Sequence, residues 1–528
     1  MRSTFSLFVG ILMLNSLLVA QSSQSTLGRA GKLKGEARQT WHLQDLKSVK
    51  AYGVQSDKTI AELIGGMQPK KKIVVAVIDS GVDFEHEDLK GQLWINEGEI
   101  PNNGKDDDGN GFVDDVNGWN FLVDDDGEDI VYANLEATRV LRLSKSLQAN
   151  GEAYPAWLTK EVLESAATIF NENTDNLNGY YQIVGVYREV NSAVVSVLKD
   201  TAYTYEEVKT IESEDPLVVD AKRIFEVFEK LEIGKSDLRE LDQMVTKFTD
   251  YWLNLEYQPR AEINFIKKNY GNNHVGGKHT GHGTHVAGII AAEASNDLGG
   301  RGIASKEAEI MILKVVPDGD ENDMDVANAI RYAADNGASI INMSFGKGLS
   351  PAKEEVYAAL TYAASKNVLI IHAAGNDADN SDEVGNFPND DGLDPIAQQS
   401  YLCIGAIGPR KNKYMTASFS NYGAETVDLF APGEDIYATL PGNKYGYLSG
   451  TSMAAPIVSG AAALIWAYHP GLTAVEIREL IMQGAFDLSK KKVILPGTRK
   501  EKVPFGTLSN SGKVLNTYEA YKLAQNKG

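Results

Sequence analysis

Residues 73–78, IVVAVI, form an unbroken run of apolar, mainly β-branched residues that ends in an acid, Asp79. A run with no polar alternation is buried on both faces, which is the condition of a strand inside a parallel sheet. Such a strand presents Asp79 at its C-terminal end. The pattern recurs further along the chain. Residues 285–292 read as a helix, 309–316 as a strand, 326–336 as a helix stopped by Gly337, 339–346 as a strand, 354–366 as a helix and 368–376 as a strand. Strand and helix in alternation predict an α/β fold with a doubly wound, mostly parallel sheet. Sites in such sheets form at the C-terminal ends of the strands. Asp79, Ser344 and Asn376 fall at such ends, and Ser452 opens a later helix.

Residues 130–264 differ in character. Glycine is scarce there, and apolar residues recur at helical spacing: Ile183, Tyr187, Val190, Val194 and Val197; Leu217, Ala221, Ile224, Phe228 and Leu231; Leu238, Leu241, Val245, Phe248 and Trp252. A helical inserted subdomain is expected here, dividing the α/β domain into parts at 51–129 and 265–528. Ser56 is expected to cap a short helix over 57–63, stopped by Gly65 and Gly66. Residues 21–50 are polar and read as a linker or short pro-segment. Before them, Arg2 and the apolar run 5–20 read as an export signal cleaved after Ala20, too short for a comfortable membrane span. The expected location is periplasmic or extracellular, with no stable membrane anchor once the signal is removed. The net charge of −21 argues against nucleic acid or an anionic membrane as the main partner. Cys403 is the one cysteine, so no intrachain disulfide can form and other stabilisers, such as core burial and bound metal, are expected.

Four blocks carry residues suited to chemistry, and each also has a plain structural reading. Asp79 after its strand could be a ribose-binding acid, but no GxGxxG turn follows. In GHGTHVAG, His282 and His285 lack the glutamate of an HExxH zinc helix. One histidine could serve as a base at a helix start. In GTSMAAP, Ser452 could be an ordinary N-cap, or a nucleophile whose developing charge is favoured by the helix N-terminus. Asn376 in AAGN could be a turn residue or an amide donor to an oxyanion.

Taken together and in this order, VVAVIDSGVD, HEDL, GHGTHVAG, SFG, HAAGN, FAPG and LSGTSMAAPIVSGAAAL resemble the subtilases, a family of serine proteases. The resemblance covers about 56–121 and 278–523. It implies a subtilisin-like fold and a secreted endopeptidase acting on proteins or peptides through an acyl-enzyme. In that role Ser452 is the nucleophile, His282 the base, and Asp79 the residue that orients the histidine. Asn376 and the Ser452 amide would form the oxyanion hole. The strand Ser344, Phe345, Gly346 would pair with the substrate backbone, and Ala373, Ala374 and Gly375 would line the pocket for the side chain before the scissile bond. The alternative is a catalytically silent peptide-binding protein on the same fold. The chain departs from the family in having little room for a folded pro-domain and in carrying the helical insertion.

Calcium is the expected cofactor. Residues 106–115 place oxygen ligands at alternating positions around a glycine turn. Asp106, Asp108, Asn110 and Asp114, with the Phe112 carbonyl, could enclose one ion, although Asn117 stands where an EF-hand has its closing glutamate. The resemblance implies a second calcium site at Asp88, Asn296 and the carbonyls of Leu298 and Gly300.

Overall fold

The structure is a computed structural model that describes residues 33–231, 233–260 and 270–527. The expected signal, the first part of the polar segment 21–50 and residue 264 at the end of the expected insertion lie outside the described residues.

Seven strands form the body of the main sheet: β1 (Ile73–Asp79), β2 (Gly118–Asn120), β3 (Ala308–Lys314), β4 (Ile340–Met343), β5 (Leu369–Ala373), β6 (Tyr401–Ile407) and β7 (Leu429–Pro432). Their spatial order is β7-β6-β5-β4-β1-β3-β2, every pair parallel, and Lys513–Val514 extends the β7 edge in parallel. Only the outermost strand, Phe486–Asp487, is antiparallel. After β3 the chain crosses back past β1 to lay down β4. That reversal sets the ends of β1 and β4 side by side, the usual place for a site in an open α/β sheet.

Burial on both faces explains why the strands read as continuous apolar runs. In β1, Ile73, Val75 and Val77 join one core cluster while Ala76 and Ile78 join the other, the alternation a pleated strand imposes. The first cluster contains the helices Gly281–Ala291 and Thr451–Tyr468; the second contains Asp323–Asp335 and Lys353–Ser365. Thr451–Tyr468 is long and apolar enough to cross a membrane, but it is fully buried as a core helix.

The described residues divide into two compact units, Ala137–Gln258 and the remainder. Ala137–Gln258 has its own core. Helix Lys160–Leu198 supplies Ile183, Tyr187, Val190 and Val194; Pro216–Lys230 supplies Ala221, Ile224 and Phe228; Lys235–Lys247 supplies Leu238, Leu241 and Val245. Val197 and Leu217, expected on these buried stripes, are 43% and 49% exposed. Val197 is the penultimate residue of its helix and Leu217 the second residue of its own.

The polar segment before β1 also differs from expectation. Trp41 and Leu43 are buried in the main core, the Trp41 indole donates to the Asp435 carbonyl at 3.1 Å, and Arg38 pairs with the Asp435 carboxylate. A few large apolar side chains anchor a stretch whose average composition reads as linker. Ser56 is the first helical residue, not the cap. Gln55, in a left-handed conformation, holds the cap position, and the helix Ser56–Thr59 widens into Ile60–Ile64 before Gly65 ends it.

Candidate active site

Asp79 ends β1 and is 1% exposed. Its Oδ1 accepts the Ser80 amide at 2.7 Å, and its two oxygens lie 2.8 and 3.0 Å from His282 Nδ1. His282 is the second residue of helix Gly281–Ala291. Gly283 lets this helix approach the strand end: a Cβ there would come 2.2 Å from the Gly81 carbonyl oxygen. This contact accounts for the glycine in the GHGTH motif. A carboxylate only accepts, so Nδ1 carries the proton when the ring is neutral, and Nε2 is free to act as an acceptor. Burial by itself disfavours the imidazolium, but the charge of Asp79 and its hydrogen bond outweigh that effect. They hold His282 above the ordinary histidine value.

His285 has no part in this pair. It is fully buried, its Nε2 donates to the Gly446 carbonyl at 3.2 Å, and burial lowers its pKa to about 4. It is a neutral packing histidine, as the missing zinc-helix glutamate suggests.

Ser452 is the second residue of helix Thr451–Tyr468. Its hydroxyl donates to the Ser344 carbonyl at 2.9 Å, and the Ser344 hydroxyl donates back to the Ser452 carbonyl at 2.9 Å. In this structure the Ser452 hydroxyl is therefore bonded to the β4 end and not to His282. Asn376 is oriented through its oxygen, which accepts the Thr451 amide at 2.8 Å and the Thr451 hydroxyl at 3.1 Å. That leaves Nδ2 as a donor. A Cβ placed on Gly450 would lie 3.6 Å from Asn376 Nδ2, Asn376 Oδ1 and the Ser452 amide nitrogen, so both nitrogens lie close to Gly450. The first-turn amides of a helix have no intrahelical acceptor, which leaves the Ser452 N–H available there.

Ser344, Phe345 and Gly346 continue β4, and Ala374 and Gly375 continue β5 past Ala373. Ala373 and Ala374 are buried, so what they offer a ligand is backbone more than side chain. His372, the first residue of HAAGN, and two residues outside the motifs support these two segments. His372 Nε2 donates to the Phe345 carbonyl at 2.7 Å, and Asn386 Nδ2 donates to the Ala374 carbonyl at 3.0 Å. The buried Lys347 ammonium pairs with Glu136 at 2.6 Å and Asp323 at 2.8 Å. Glu136 and Lys347 are 211 residues apart in sequence, so no local pattern connects them.

Of the acidic loop, the structure brings Asp106 and Asp108 together with Glu99, their oxygens within 4.8 Å of one another. Glu99 lies outside the alternating pattern of the loop and carries no sequence signal. Asn110 belongs to the same loop, its side chain bonded to Asp108 and Asp115, and the Phe112 amide donates to its oxygen. Asp114, expected among the ligands, turns elsewhere: its two oxygens accept the amides of Asn103 and Gly104 at 3.0 and 2.8 Å. Its backbone is left-handed at this point, φ 54°. At the second expected site, Asp88 is fully buried and accepts from the Asn296 side chain at 2.6 Å and the Gly300 amide at 2.9 Å. Leu298 is exposed beside them, its amide donating to Asn296.

The site thus combines a charge-coupled acid and imidazole with a helix-borne hydroxyl and two amide N–H groups, those of the Asn376 side chain and the Ser452 backbone. The Subtilase family matches residues 70–513, and the chain belongs to that family. It is 39% identical over 208 residues to a thermophilic serine proteinase of Bacillus sp. (strain AK1), covering 39% of this chain and 47% of that one. It is 39% identical over 234 residues to a cell wall-associated protease of Bacillus subtilis (strain 168), covering 43% and 24%. With the major intracellular serine protease of the same strain it shares 40% identity over 210 residues, covering 39% and 61%. The chain spans between about a quarter and three fifths of the length of these relatives.

Proposed function

We propose that the chain is an exported serine endopeptidase that hydrolyses protein or peptide substrates through an acyl-enzyme. The observation that carries this reading is the arrangement at the parallel strand ends: the Asp79–His282 pair, Ser452 at its helix start, and Asn376 with its amide turned loose. Ser452 Oγ attacks the scissile carbonyl. Its proton passes to His282 Nε2, which requires the hydroxyl to leave the Ser344 carbonyl by rotation about χ1. His282 returns the proton to the leaving amine, and Asp79 stabilises the imidazolium between these steps. Asn376 Nδ2 and the Ser452 amide receive the oxyanion. The backbone of Ser344, Phe345 and Gly346 holds the extended substrate. A fluorophosphonate probe followed by peptide mass mapping tests the reading. Modification at Ser452 is expected. A protein that cleaves no peptide and leaves Ser452 unmodified would instead be a silent peptide binder, for which the Ser452–Ser344 bond speaks.

The raised His282 pKa has a kinetic consequence. The base works only when neutral, so kcat/KM should rise with pH through a midpoint above the free-histidine value of about 6.5. A midpoint at or below that value, measured on a small peptide ester or amide, contradicts coupling to Asp79.

Calcium is the ion proposed for the Glu99, Asp106 and Asp108 group, whose hard oxygen donors suit it. It would hold the loop between β1 and β2 against its own negative charge. Chelation is expected to lower the melting temperature. The apparent loss is about 3 kcal/mol where free calcium had stood at a hundred times its Kd. Calorimetry with and without chelator checks this, and an identical transition in both removes the proposal.

A further inference from the structure

Next to the two substrate walls lies a cavity of about 20 Å³ bordered by His372, Ala374, Ser381, Asn386, Asp390 and Cys403. It has room for one group the size of a water molecule. Asn389, Tyr401 and Thr426 complete its lining, and two of its polar atoms lack a partner. His372 is 1% exposed, and its Nε2 must carry the proton it donates to the Phe345 carbonyl. Burial keeps the ring neutral, with a pKa of about 4, so Nδ1 is a bare acceptor. It has no hydrogen-bond partner, and neither does the buried Ser381 hydroxyl. The Asp390 carboxyl, raised by burial and by Asp428 to about 6, is ionised above that pH. Arg478, a cation that acts on it, is bonded to Asp428 at 2.9 Å and to the Tyr401 carbonyl at 2.7 Å.

Asn386 lines this cavity beside Ala374 and touches both walls. Its amide nitrogen is bonded to the Ala374 carbonyl on one wall, and a Cβ on Gly346 of the other would meet its oxygen at 2.5 Å. We propose that the cavity is the far end of the pocket for the side chain before the scissile bond, that Asn386 is its movable floor, and that it takes the ammonium head of a substrate lysine. This rests on the endopeptidase reading. An ammonium is a compact three-donor cation, and His372 Nδ1, Ser381 Oγ and Asp390 supply acceptors and charge for it. An apolar tip would leave the His372 and Ser381 atoms unpaired, at a cost. A planar guanidinium is too large for the space.

The test is kcat/KM on a peptide series identical except before the scissile bond, where lysine, arginine, glutamine, norleucine or phenylalanine stands. Lysine is expected to exceed norleucine by about ten-fold or more, from a charge-assisted hydrogen bond in a desolvated site. Asp390→Asn is expected to reduce that ratio by about ten-fold. Norleucine or phenylalanine cleaved as well as lysine by the wild type overturns the proposal, as does a lysine to norleucine ratio unmoved by Asp390→Asn. If no peptide of the series is cleaved and Ser452 takes no fluorophosphonate, it is the endopeptidase reading that has failed.

Discussion

Ser452→Ala is expected to abolish peptide hydrolysis while the protein stays folded. The side chain lost is a single hydroxyl whose one donated bond goes to the Ser344 carbonyl. The helix that carries it is held by a fully buried apolar body. Removal of one neutral hydrogen bond changes stability by only about 1 kcal/mol. The effect on rate is of another order, because the alanine variant cannot form the acyl-enzyme. In a subtilisin, loss of the nucleophile lowers kcat by about 10⁶-fold, and the same order, taken over from that enzyme, is expected here. The measurement is turnover of a chromogenic peptide, with circular dichroism and thermal unfolding on the same preparation. Undiminished turnover by a folded Ser452→Ala protein would show that another residue is the nucleophile.

Asp79→Asn should be nearly as severe and for a different reason. Asp79 Oδ1 already accepts the Ser80 amide at 2.7 Å. An asparagine that keeps that bond through its oxygen, 2.8 Å from His282 Nδ1, places its NH₂ at the Oδ2 position, 3.0 Å from the same nitrogen. A donor there competes with the Nδ1 proton and favours the tautomer protonated at Nε2, which lacks the lone pair that must receive the Ser452 proton. The imidazolium also loses the carboxylate charge that favours it. A drop in kcat on the order of 10⁴ is expected, the size seen for this change in another serine protease, with little change in KM. The pH midpoint should also fall, because the interaction that raises the His282 pKa is gone. A variant that keeps wild-type kcat, or one whose midpoint does not move, would separate Asp79 from the chemistry.

Much of the fold is legible in the sequence because its evidence is local. Residues 73–78 are apolar without alternation, and only a strand covered on both faces buries such a run; β1 is that strand. The helices around Asp323–Asp335 and Lys353–Ser365 are marked by their own periodicity and by glycine or lysine near their ends. Family membership is legible for the same reason, since the motifs around Asp79, His282 and Ser452 are short strings. Local signals also fail in characteristic ways. The stripes extend to Val197 and Leu217, which are exposed near the ends of their helices. Residues 33–50 average out as polar although Trp41 and Leu43 are core.

What the sequence determined by itself is therefore four of the parallel strands with the helices between them, the α/β class and the motifs that carry family membership, whereas the strands Gly118–Asn120, Tyr401–Ile407 and Leu429–Pro432 were not read from it. These follow from backbone periodicity and from side chains within a few positions of one another. Tertiary structure alone decided which atoms meet. It set Glu99 beside Asp106 and Asp108, and it turned Asp114 onto Asn103 and Gly104. It bonded the Ser452 hydroxyl to Ser344, 108 residues away, and set Asn386 against both Ala374 and Gly346. A hydrogen bond forms or fails within a few tenths of an ångström. That margin is set by how distant segments pack, and no pattern along the chain encodes it.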